Sequence, residues 1–259
     1  MSTGEVFQEL YLDAAKSSLP AGARIGGLVI MPGLAPVDPQ TGAIVGDDME
    51  SQLRAVLQNM DRVLAAAGCS NRDVARVTTF MRQTSDRTAL NKVYKEWYPN
   101  EDERPPNKYL PAELTEGIHV RAQVIAVPGS AAKAIEIDGI HHQDWMSLGG
   151  INGGLITSSR IFGSDPATGK GSPEADRHTE IIFENADRLL ALAGGSWANM
   201  SQATVFYQGE HLRELVMREW RKRGSEHVDG PRLNMVETDL GGQARDGVLM
   251  PRIEIVALL

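Results

Sequence analysis

The chain has 259 residues, 42% of them hydrophobic, and is therefore long enough to bury two modest cores of the usual domain size. Its formal net charge of −8 argues against binding to nucleic acid or to an anionic membrane, because phosphate groups are bound by dense lysine and arginine. The chain contains no apolar run long enough to span a bilayer, no signal-like N-terminus and a single cysteine, Cys69, so we expect a soluble protein of the reducing cytoplasm.

The first half of the chain alternates apolar runs with helical patterns. The run IGGLVIMPG (25–33) predicts a strand, and apolar residues then recur at helical spacing, which predicts an amphipathic helix over 48–67 that ends at Gly68. The run VARVTTFM (74–81) predicts the next strand, followed by a shorter helix near 86–98 and two more strands. Strands and helices in this order form a mixed sheet with both helices on one face, an α+β fold.

The second half repeats this pattern. The pentapeptide DPQTG (38–42) returns as DPATG (165–169), an offset of 165 − 38 = 127, although D-P-x-x-G by itself is common in tight turns. The flanking segments show that more than the turn is repeated, because an offset of 126 relates a helix, a glycine stop and a strand in the two halves, as at Asn59 and Asn185. The chain is therefore predicted to be a tandem duplication.

The duplication implies two domains, residues 1–130 and 131–259, joined at the segment PGSAAKAIE (128–136). In the last strand of the first half, VRAQVIAV (120–127), both alternating sets of side chains include apolar residues. The sheet face that the helices leave uncovered must therefore be covered by something else. Either the two halves pack sheet to sheet, or the chain oligomerises.

Four segments of the first half together resemble a known family. The runs GLVIMPGLAPVDPQTGAIVGD, LAAAGCS, DVARVTTFM and ALNKVYKEWY, followed by a final apolar strand, resemble the Rid (reactive intermediate deaminase) family, also called the YjgF or endoribonuclease L-PSP family. The resemblance covers most of residues 24–127 and extends more loosely over 140–258. It implies that each half has a chorismate-mutase-like α+β fold, and that the chain forms trimers with ligand clefts between adjacent domains.

The resemblance also implies a chemistry. Members of the family hydrolyse enamines and imines to a keto acid and ammonia, with no metal and no cofactor. An arginine on the penultimate strand holds the substrate carboxylate, and a glutamate on the last strand positions water or relays protons. The histidines of this chain show no metal-ligand spacing and there is no cysteine cluster, so we expect no metal site.

The family's arginine matches only the second half. The run PRLNM (231–235) resembles the arginine strand and makes Arg232 the candidate carboxylate clamp, with Asn234 of the same run as a candidate substrate-binding residue. In the first half the run PPNKY (105–109) corresponds, and Asn107 stands in the arginine's place. The two halves are therefore expected to bind a carboxylate unequally.

The family's glutamate falls on an arginine in both halves. In an ungapped comparison it falls on Arg121 and Arg252, and the next residues that point the same way are Gln123 and Glu254. An arginine there reverses the local charge and would suit a ligand with more than one anionic group, such as a dicarboxylate. The alternatives are a register error of one residue, which would put every side chain on the other face of the strand, or ordinary arginines paired with surface acids.

Two further residues are candidate substrate contacts. Arg160 occupies the position of Gly33, on the strand that floors the family's cleft, and Trp145 in the run HHQDW (141–145) could cover a cleft as an aromatic lid. For each of these the alternative is a structural role.

The leading hypothesis is a Rid-like hydrolase of the enamine or imine deaminase type, in which Arg232, Arg252 and Glu254 are catalytic and the substrate is a small carboxylate-bearing metabolite. The second hypothesis is a noncatalytic Rid-like module that binds a small acidic metabolite or a partner protein, because the glutamate is displaced. A ribonuclease is disfavoured by the acidic composition. The expected assembly is a homotrimer.

Overall fold

A computed structural model describes residues 7–13, 19–82, 87–140, 144–223, 232–238 and 250–259. The chain divides into two compact units. The first comprises Met1–Ala134 together with Asp144–Ser147, and the second comprises Ile135–Gln143 together with Leu148–Leu259. The domain boundary expected between residues 130 and 131 stays a prediction.

The first unit is one six-stranded mixed sheet with two helices, in the spatial order β1-β2-β3-β6-β4-β5. The β4–β5 pair is parallel and the other pairs are antiparallel. Its elements are β1 (Gln8–Leu10), β2 (Gly22–Ile25), β3 (Leu28–Leu34), α1 (Met49–Ala66), β4 (Val74–Met81), α2 (Arg87–Trp97), β5 (Asn107–Pro111) and β6 (Val120–Ala126).

The second unit repeats this order. Its six-stranded sheet runs β7-β8-β9-β14-β12-β13, so each strand corresponds in turn to one of the first sheet. A small hairpin is also present where the first unit has the isolated bridge between Val37 and Ile44. Its sheet begins with β7 (Lys133–Ile135), which spans the boundary between the units. The other elements are β8 (Gly149–Asn152), β9 (Leu155–Ser158), the hairpin strands β10 (Ser164–Asp165) and β11 (Lys170–Gly171), α3 (Ala175–Leu192), β12 (Met200–Tyr207), α4 (Glu210–Lys222), β13 (Arg232–Glu237) and β14 (Arg252–Leu258). The predicted α+β fold in two tandem copies is confirmed.

The long helix of the first unit begins and ends where the sequence provides caps. The carboxylate of Asp48 accepts a hydrogen bond from the backbone N–H of Ser51 at 2.8 Å and closes a capping box. Gly68, with φ of 72°, allows the chain to leave the helix in the left-handed region. The apolar stripe of α1 is fully buried, and each such leucine or valine contributes about 1.5–3 kcal/mol relative to exposure.

The helices of each unit pack on one face of its sheet. In β6 the helix-facing residues Val120, Ala122, Val124 and Ala126 are completely buried, whereas the alternate residues are only partly buried. In β14 the residues Ile253, Ile255 and Ala257 occupy the same place in the core of the second unit. We call the opposite face of each sheet its open face.

The recurring DPxTG turn has a physical reason in both units. A buried asparagine on the long helix donates its amide hydrogens to two carbonyls of the segment that leads into the turn. Asn59 Nδ2 donates to Ala35 O (3.1 Å) and Val37 O (2.8 Å), and Asn185 Nδ2 donates to Phe162 O (3.0 Å) and Ser164 O (2.8 Å). The duplication has therefore retained the turn and the polar group that fastens it.

None of the helices in the described part of the chain combines the length and the apolar character that a bilayer crossing requires.

Candidate active site

One row of polar residues crosses the open face of the second sheet. Thr204 in the central strand β12 pairs with Asn234 of β13 on one side and with Glu254 of β14 on the other. Residues directly opposite each other in paired strands project to the same face, so these three side chains share the open face, with the outer two about 10 Å apart. Glu254 is 6% exposed, whereas Asn234 is exposed. The row thus places a buried carboxyl group beside a hydroxyl and an amide.

The predicted carboxylate clamp belongs to the next row. Residue 232 pairs with Gln202, two positions along β12 from Thr204. Its backbone therefore lies about 7 Å along the strand from Asn234, on the same face by alternation. The side chain of Arg232 lies outside the described residues, as does Pro231 before it. Its role as a clamp stays a prediction.

The row on the other side of Glu254 is built from arginines and phenylalanines. Phe206 pairs with Arg252, and the guanidinium of Arg160 lies over the Phe206 ring at 4.9 Å from its centroid. The guanidinium of Arg252, a residue only 4% exposed, lies over the ring of Phe162 at 5.1 Å. A guanidinium stacked in this way keeps its edges for hydrogen bonding, so this end of the open face presents positive charge next to the carboxyl row.

The first unit lacks the carboxyl group at the equivalent position. Thr78 pairs with Gln123 and Phe80 pairs with Arg121, which agrees with the sequence equivalence of Gln123 to Glu254 and of Arg121 to Arg252. Arg121 is partly exposed. An amide cannot take up a proton from water, so the two open faces differ in the group that general-base chemistry needs.

The alignment of Asn107 with Arg232 is wrong by one residue. Val77 pairs with Asn107, whereas the equivalent residue Ala203 pairs with Leu233, so Lys108 takes the position of Asn234 in the ladder. Because side chains alternate between the two faces of a strand, Asn107 points to the helix-facing core.

The surroundings of Asn107 are those of a core residue. It is 3% exposed, and its Oδ1 accepts a hydrogen bond from Thr79 Oγ1 at 3.1 Å. Since Thr79 donates there, the hydroxyl of Tyr94 donates to Thr79 at 2.6 Å. Burial raises the pKa of Tyr94 to about 12, so this network stays protonated at physiological pH. Asn107 stabilises the first core and does not reach the open face.

Trp145 is fastened to the first unit. The cationic groups of Lys95 and Arg104 each lie over its ring at 4.7 Å from the centroid, and its Nε1 donates to the carbonyl of Tyr98 at 2.9 Å. Its backbone N–H donates to Asn91 Oδ1 at 3.1 Å. The preceding residues 141–143 lie outside the described residues. Trp145 therefore belongs to the first unit, and its role as a lid stays a prediction.

The structure brings together Asn234, Glu254, Arg160, Arg252 and the position of Arg232 on one open face. Arg121, Asn107 and Trp145 belong to the first unit. Thr204 and Lys108 were missed in the sequence. The signal for Thr204 was present, because the alternation of TVFY along β12 puts Thr204 and Phe206 on one face. Lys108 could not be found without the pairing of β4 and β5.

Within the described part of the chain, no three histidine, cysteine, aspartate or glutamate side chains lie close enough together to hold a metal ion.

Comparison with known proteins gives consistent matches to one family. The profile of the family described as endoribonuclease L-PSP matches residues 13–128. A 2-iminobutanoate/2-iminopropanoate deaminase from Salmonella typhimurium is 31% identical over 108 residues, which cover 41% of this chain and 84% of that protein. A RutC family protein from Pyrococcus abyssi is 35% identical over 75 residues, which cover 29% of this chain and 59% of that protein. The chain thus spans about three fifths of that relative.

Among solved structures, the Rid family protein YyfA from Yersinia pestis is 25% identical. The match covers 47% of this chain and 99% of that chain, with a TM-score of 0.44.

Proposed function

The chain belongs to the Rid (endoribonuclease L-PSP) family, and we propose that its second unit hydrolyses a small imine or enamine that bears a carboxylate. The identity to an iminobutanoate and iminopropanoate deaminase over 84% of that protein supports this reaction class. The family profile matches the first unit, whereas the buried carboxyl group lies in the second, whose fold repeats the first.

The single observation that carries the proposal is the row Asn234, Thr204 and Glu254. A buried glutamate in line with a hydroxyl and an amide can hold a water molecule in one orientation and accept a proton from it. Arg232, one row away, would bind the substrate carboxylate through two parallel hydrogen bonds. The imine carbon, adjacent to the carboxylate, would then face the oriented water.

The reaction proceeds in two steps from the imine. Water adds its oxygen to the imine carbon while Glu254 accepts one of its protons and passes it to the imine nitrogen, which becomes an amine. The tetrahedral intermediate then collapses to the keto acid as the carbon–nitrogen bond breaks, and Glu254 transfers the proton of the new hydroxyl group to the nitrogen, which leaves as ammonia. Water is the only other reactant, so the imine and water yield one keto acid and one ammonia.

The test is ammonia release from freshly generated 2-iminopropanoate. We expect Glu254→Gln to lower kcat by about 10²- to 10⁴-fold, because the amide cannot accept the proton. The matched control is Gln123→Ala at the equivalent position of the first unit, which should leave the rate within a factor of about two, as surface-type substitutions do. A wild-type rate equal to that of uncatalysed hydrolysis would exclude deamination of this substrate.

A second candidate function is binding of a small acidic metabolite without turnover. It is favoured by Arg160, which stands where the first unit has Gly33, since Leu34 pairs with Ala122 as Ile161 pairs with Ile253. The added guanidinium raises the positive charge beside Glu254 and favours retention of an anion over its conversion. Calorimetric binding of pyruvate by a protein that releases no ammonia would identify this function.

We further propose that the protein is a cytoplasmic homotrimer. The open face of the first sheet supports association, because the paired residues Ile30 and Ile125 remain partly exposed there. The single cysteine and the acidic composition support a reducing compartment and a metabolite partner, with no role in binding nucleic acid.

A further inference from the structure

A cavity of about 420 Å³ opens in the second unit beside the β10–β11 hairpin, the start of α3 and the start of β14. Its lining includes Phe162, Lys170, Pro173, His178, Met250 and Arg252. Thr204, Asn234 and Glu254 are not among the lining residues. The described lining therefore leaves out the polar row to which the deaminase chemistry is assigned, although Arg252 belongs to the adjacent row of the same open face.

The charged groups of the lining are positive. Arg252 is 4% exposed and lines the cavity from the sheet, and Lys170 is exposed at the hairpin. Among the described residues, those that line the cavity include no aspartate and no glutamate. A buried guanidinium binds an anion more strongly than an exposed one, because water screens the interaction less. The lining therefore favours an anionic ligand.

The remaining walls are largely apolar. Phe162 is 38% exposed and its ring faces the guanidinium of Arg252, while Pro173 and Met250 add further apolar surface. The volume of about 420 Å³ falls in the range of small-molecule sites, about 300–1,000 Å³. An inorganic anion would leave most of this space empty. A ligand with an apolar body and one anionic group would fill it.

His178 is held in one orientation on the inner wall. The backbone N–H of Gly163 donates to His178 Nε2 at 3.2 Å, which fixes the ring. A Cβ atom on Gly163 would lie 2.5 Å from the ring, which explains the glycine at that position. The cavity thus has an imidazole ring in a fixed position on its wall.

In the first unit, a glutamine at the position equivalent to His178 connects neighbouring segments by hydrogen bonds. Gln52, 126 residues earlier, donates from Nε2 to Gly46 O (3.1 Å) and Gly117 O (2.6 Å), and its Oε1 accepts from the N–H of His119 (2.7 Å). These bonds tie the start of α1 to the loop that precedes β6. The glutamine side chain therefore fastens together the segments that flank this position in the first unit.

Two more lining residues have no charged or aromatic counterpart in the first unit. At the offset of 127 that relates the two turns, Ala35 stands for Phe162 and Ala43 stands for Lys170. Both units have an arginine at the position of Arg252, but only the second unit combines it with Phe162, Lys170 and His178.

We propose that this cavity binds a small organic acid, with its carboxylate on Arg252 and Lys170 and its apolar body against Phe162 and Met250. The site goes beyond the proposed deaminase reaction, because its lining shares no residue with the row that contains Glu254. It would take an aryl- or alkyl-substituted carboxylate in preference to a free inorganic anion.

Isothermal titration calorimetry with four probes tests the ligand class. Phenylacetate has both parts of the expected ligand, acetate has only the carboxylate, benzyl alcohol has only the apolar body, and inorganic phosphate has only charge. We expect one phenylacetate site per chain and binding at least about tenfold weaker for each of the other three, since each loses one kind of contact. Equal or tighter binding of phosphate would overturn the proposal, as would no binding of phenylacetate at millimolar concentration.

Variants locate the site. Arg252→Met keeps the volume and removes the charge, and should weaken phenylacetate binding by about 10- to 150-fold, the range for a hydrogen-bonded charge. The matched control is Arg121→Met in the first unit, which should leave the affinity unchanged. If Arg252→Met fails to fold, Lys170→Glu decides, because Lys170 is exposed and its charge reversal should weaken binding by at least about tenfold. Unchanged affinity in Lys170→Glu would overturn the proposal.

Two variants test the deaminase reaction and the cavity independently of each other. Lys170→Ala should weaken phenylacetate binding and leave ammonia release from 2-iminopropanoate unchanged. Glu254→Gln should lower ammonia release by about 10²- to 10⁴-fold and retain phenylacetate binding. Loss of both properties in both variants would show a single site and overturn the separation inferred here.

Discussion

The indole N–H of Trp97 donates to Asp61 Oδ2 at 3.1 Å, whereas the equivalent acid on the long helix of the second repeat, Asp187, 126 residues later, faces Arg223. Arg223 reaches the Asp187 carboxylate through Nη2 (2.8 Å) and Nε (3.0 Å). The duplication thus kept the acid on the long helix and exchanged a neutral donor for a cation. The two acids therefore respond differently to removal of their charge.

Asp61→Asn should raise the free energy of unfolding at neutral pH. Burial raises the pKa of Asp61 in the folded protein, and the hydrogen bond from Trp97 opposes the rise only in part. A carboxyl with a raised folded pKa contributes stability that is complete below the unfolded pKa and is lost as the pH rises through the folded pKa. Asparagine carries no charge and avoids that loss, and its side-chain oxygen can still accept the hydrogen bond from Trp97 Nε1. Thermal melts should show the gain at pH 7 and a smaller one near about pH 3, below the unfolded pKa.

Asp187→Asn is the matched control and should have the opposite sign. It removes the ion pair with Arg223, which is partly exposed, so we expect a loss of about 0.5–1 kcal/mol at neutral pH. A gain in stability in Asp187→Asn, or a loss in Asp61→Asn, would contradict the difference between the two repeats.

Asn59→Leu and Asn185→Leu should each destabilise their unit by about 2–4 kcal/mol, because each leaves two carbonyls of the turn segment without their donor. Asn59 is 1% exposed and Asn185 is fully buried. Chemical denaturation checks the loss. Arg188→Ala, which removes the exposed partner of the Asn185 Oδ1 and an exposed ion pair with Glu184, should cost less than about 1 kcal/mol. Equal losses in the asparagine and arginine variants would refute the role given to the amide donors.

Arg232→Ala should lower affinity or turnover for a carboxylate substrate by about 30- to 1000-fold, the equivalent of about 2–4 kcal/mol. Arg232→Lys should recover little, because an ammonium group cannot form two parallel bonds to a carboxylate. Steady-state kinetics on 2-iminopropanoate provides the measurement, with Arg221→Ala on the exposed surface of α4 as control. Turnover within about threefold of the wild type in a folded Arg232→Ala protein would remove Arg232 from the mechanism.

Titration with pyruvate, a keto acid product, should show one strong site per chain. The first unit presents Gln123 where the second has Glu254, and its ladder puts Lys108 at the position of Asn234, so the two open faces are unequal. Calorimetry measures the stoichiometry, and the site should disappear in Arg232→Ala. Two equal sites per chain would show that these differences do not affect binding.

Light scattering at micromolar concentration should give three times the chain mass of 28.2 kDa. Each open face retains partly exposed apolar residues that closure of a ring would cover, and cyclic closure is the common solution for such faces. Replacement of Ile125 by glutamate should shift the equilibrium towards smaller species. A wild-type monomer would show that the open faces are covered within one chain.

The fold was largely predictable. The helix expected over 48–67 spans Met49–Ala66, and the one expected near 86–98 spans Arg87–Trp97. These predictions succeeded because helical spacing, caps and glycine stops are local signals that a single sequence carries. The strand pairing also agreed with the predicted equivalence of Arg121 and Arg252, because Phe80 pairs with Arg121 as Phe206 pairs with Arg252.

The site was predictable only in part. Arg160, Arg252, Glu254 and Asn234 share one open face, but Asn107 belongs to the core, because a shift of one residue in the pairing of β5 exchanges the two faces. No local signal fixes that pairing.

The sequence by itself determined that the chain is a duplicated α+β protein of a known family, because repeat period, hydrophobic pattern and capping are written along the chain. Only the tertiary structure decided that Trp145 is fastened beside Lys95 and Arg104, and that His178 and Arg252 line one cavity. These residues are 50, 41 and 74 positions apart, by subtraction of their numbers, so their proximity depends on strand register and packing between distant segments. Such contacts are set by the balance of the whole fold, which no short stretch of sequence specifies.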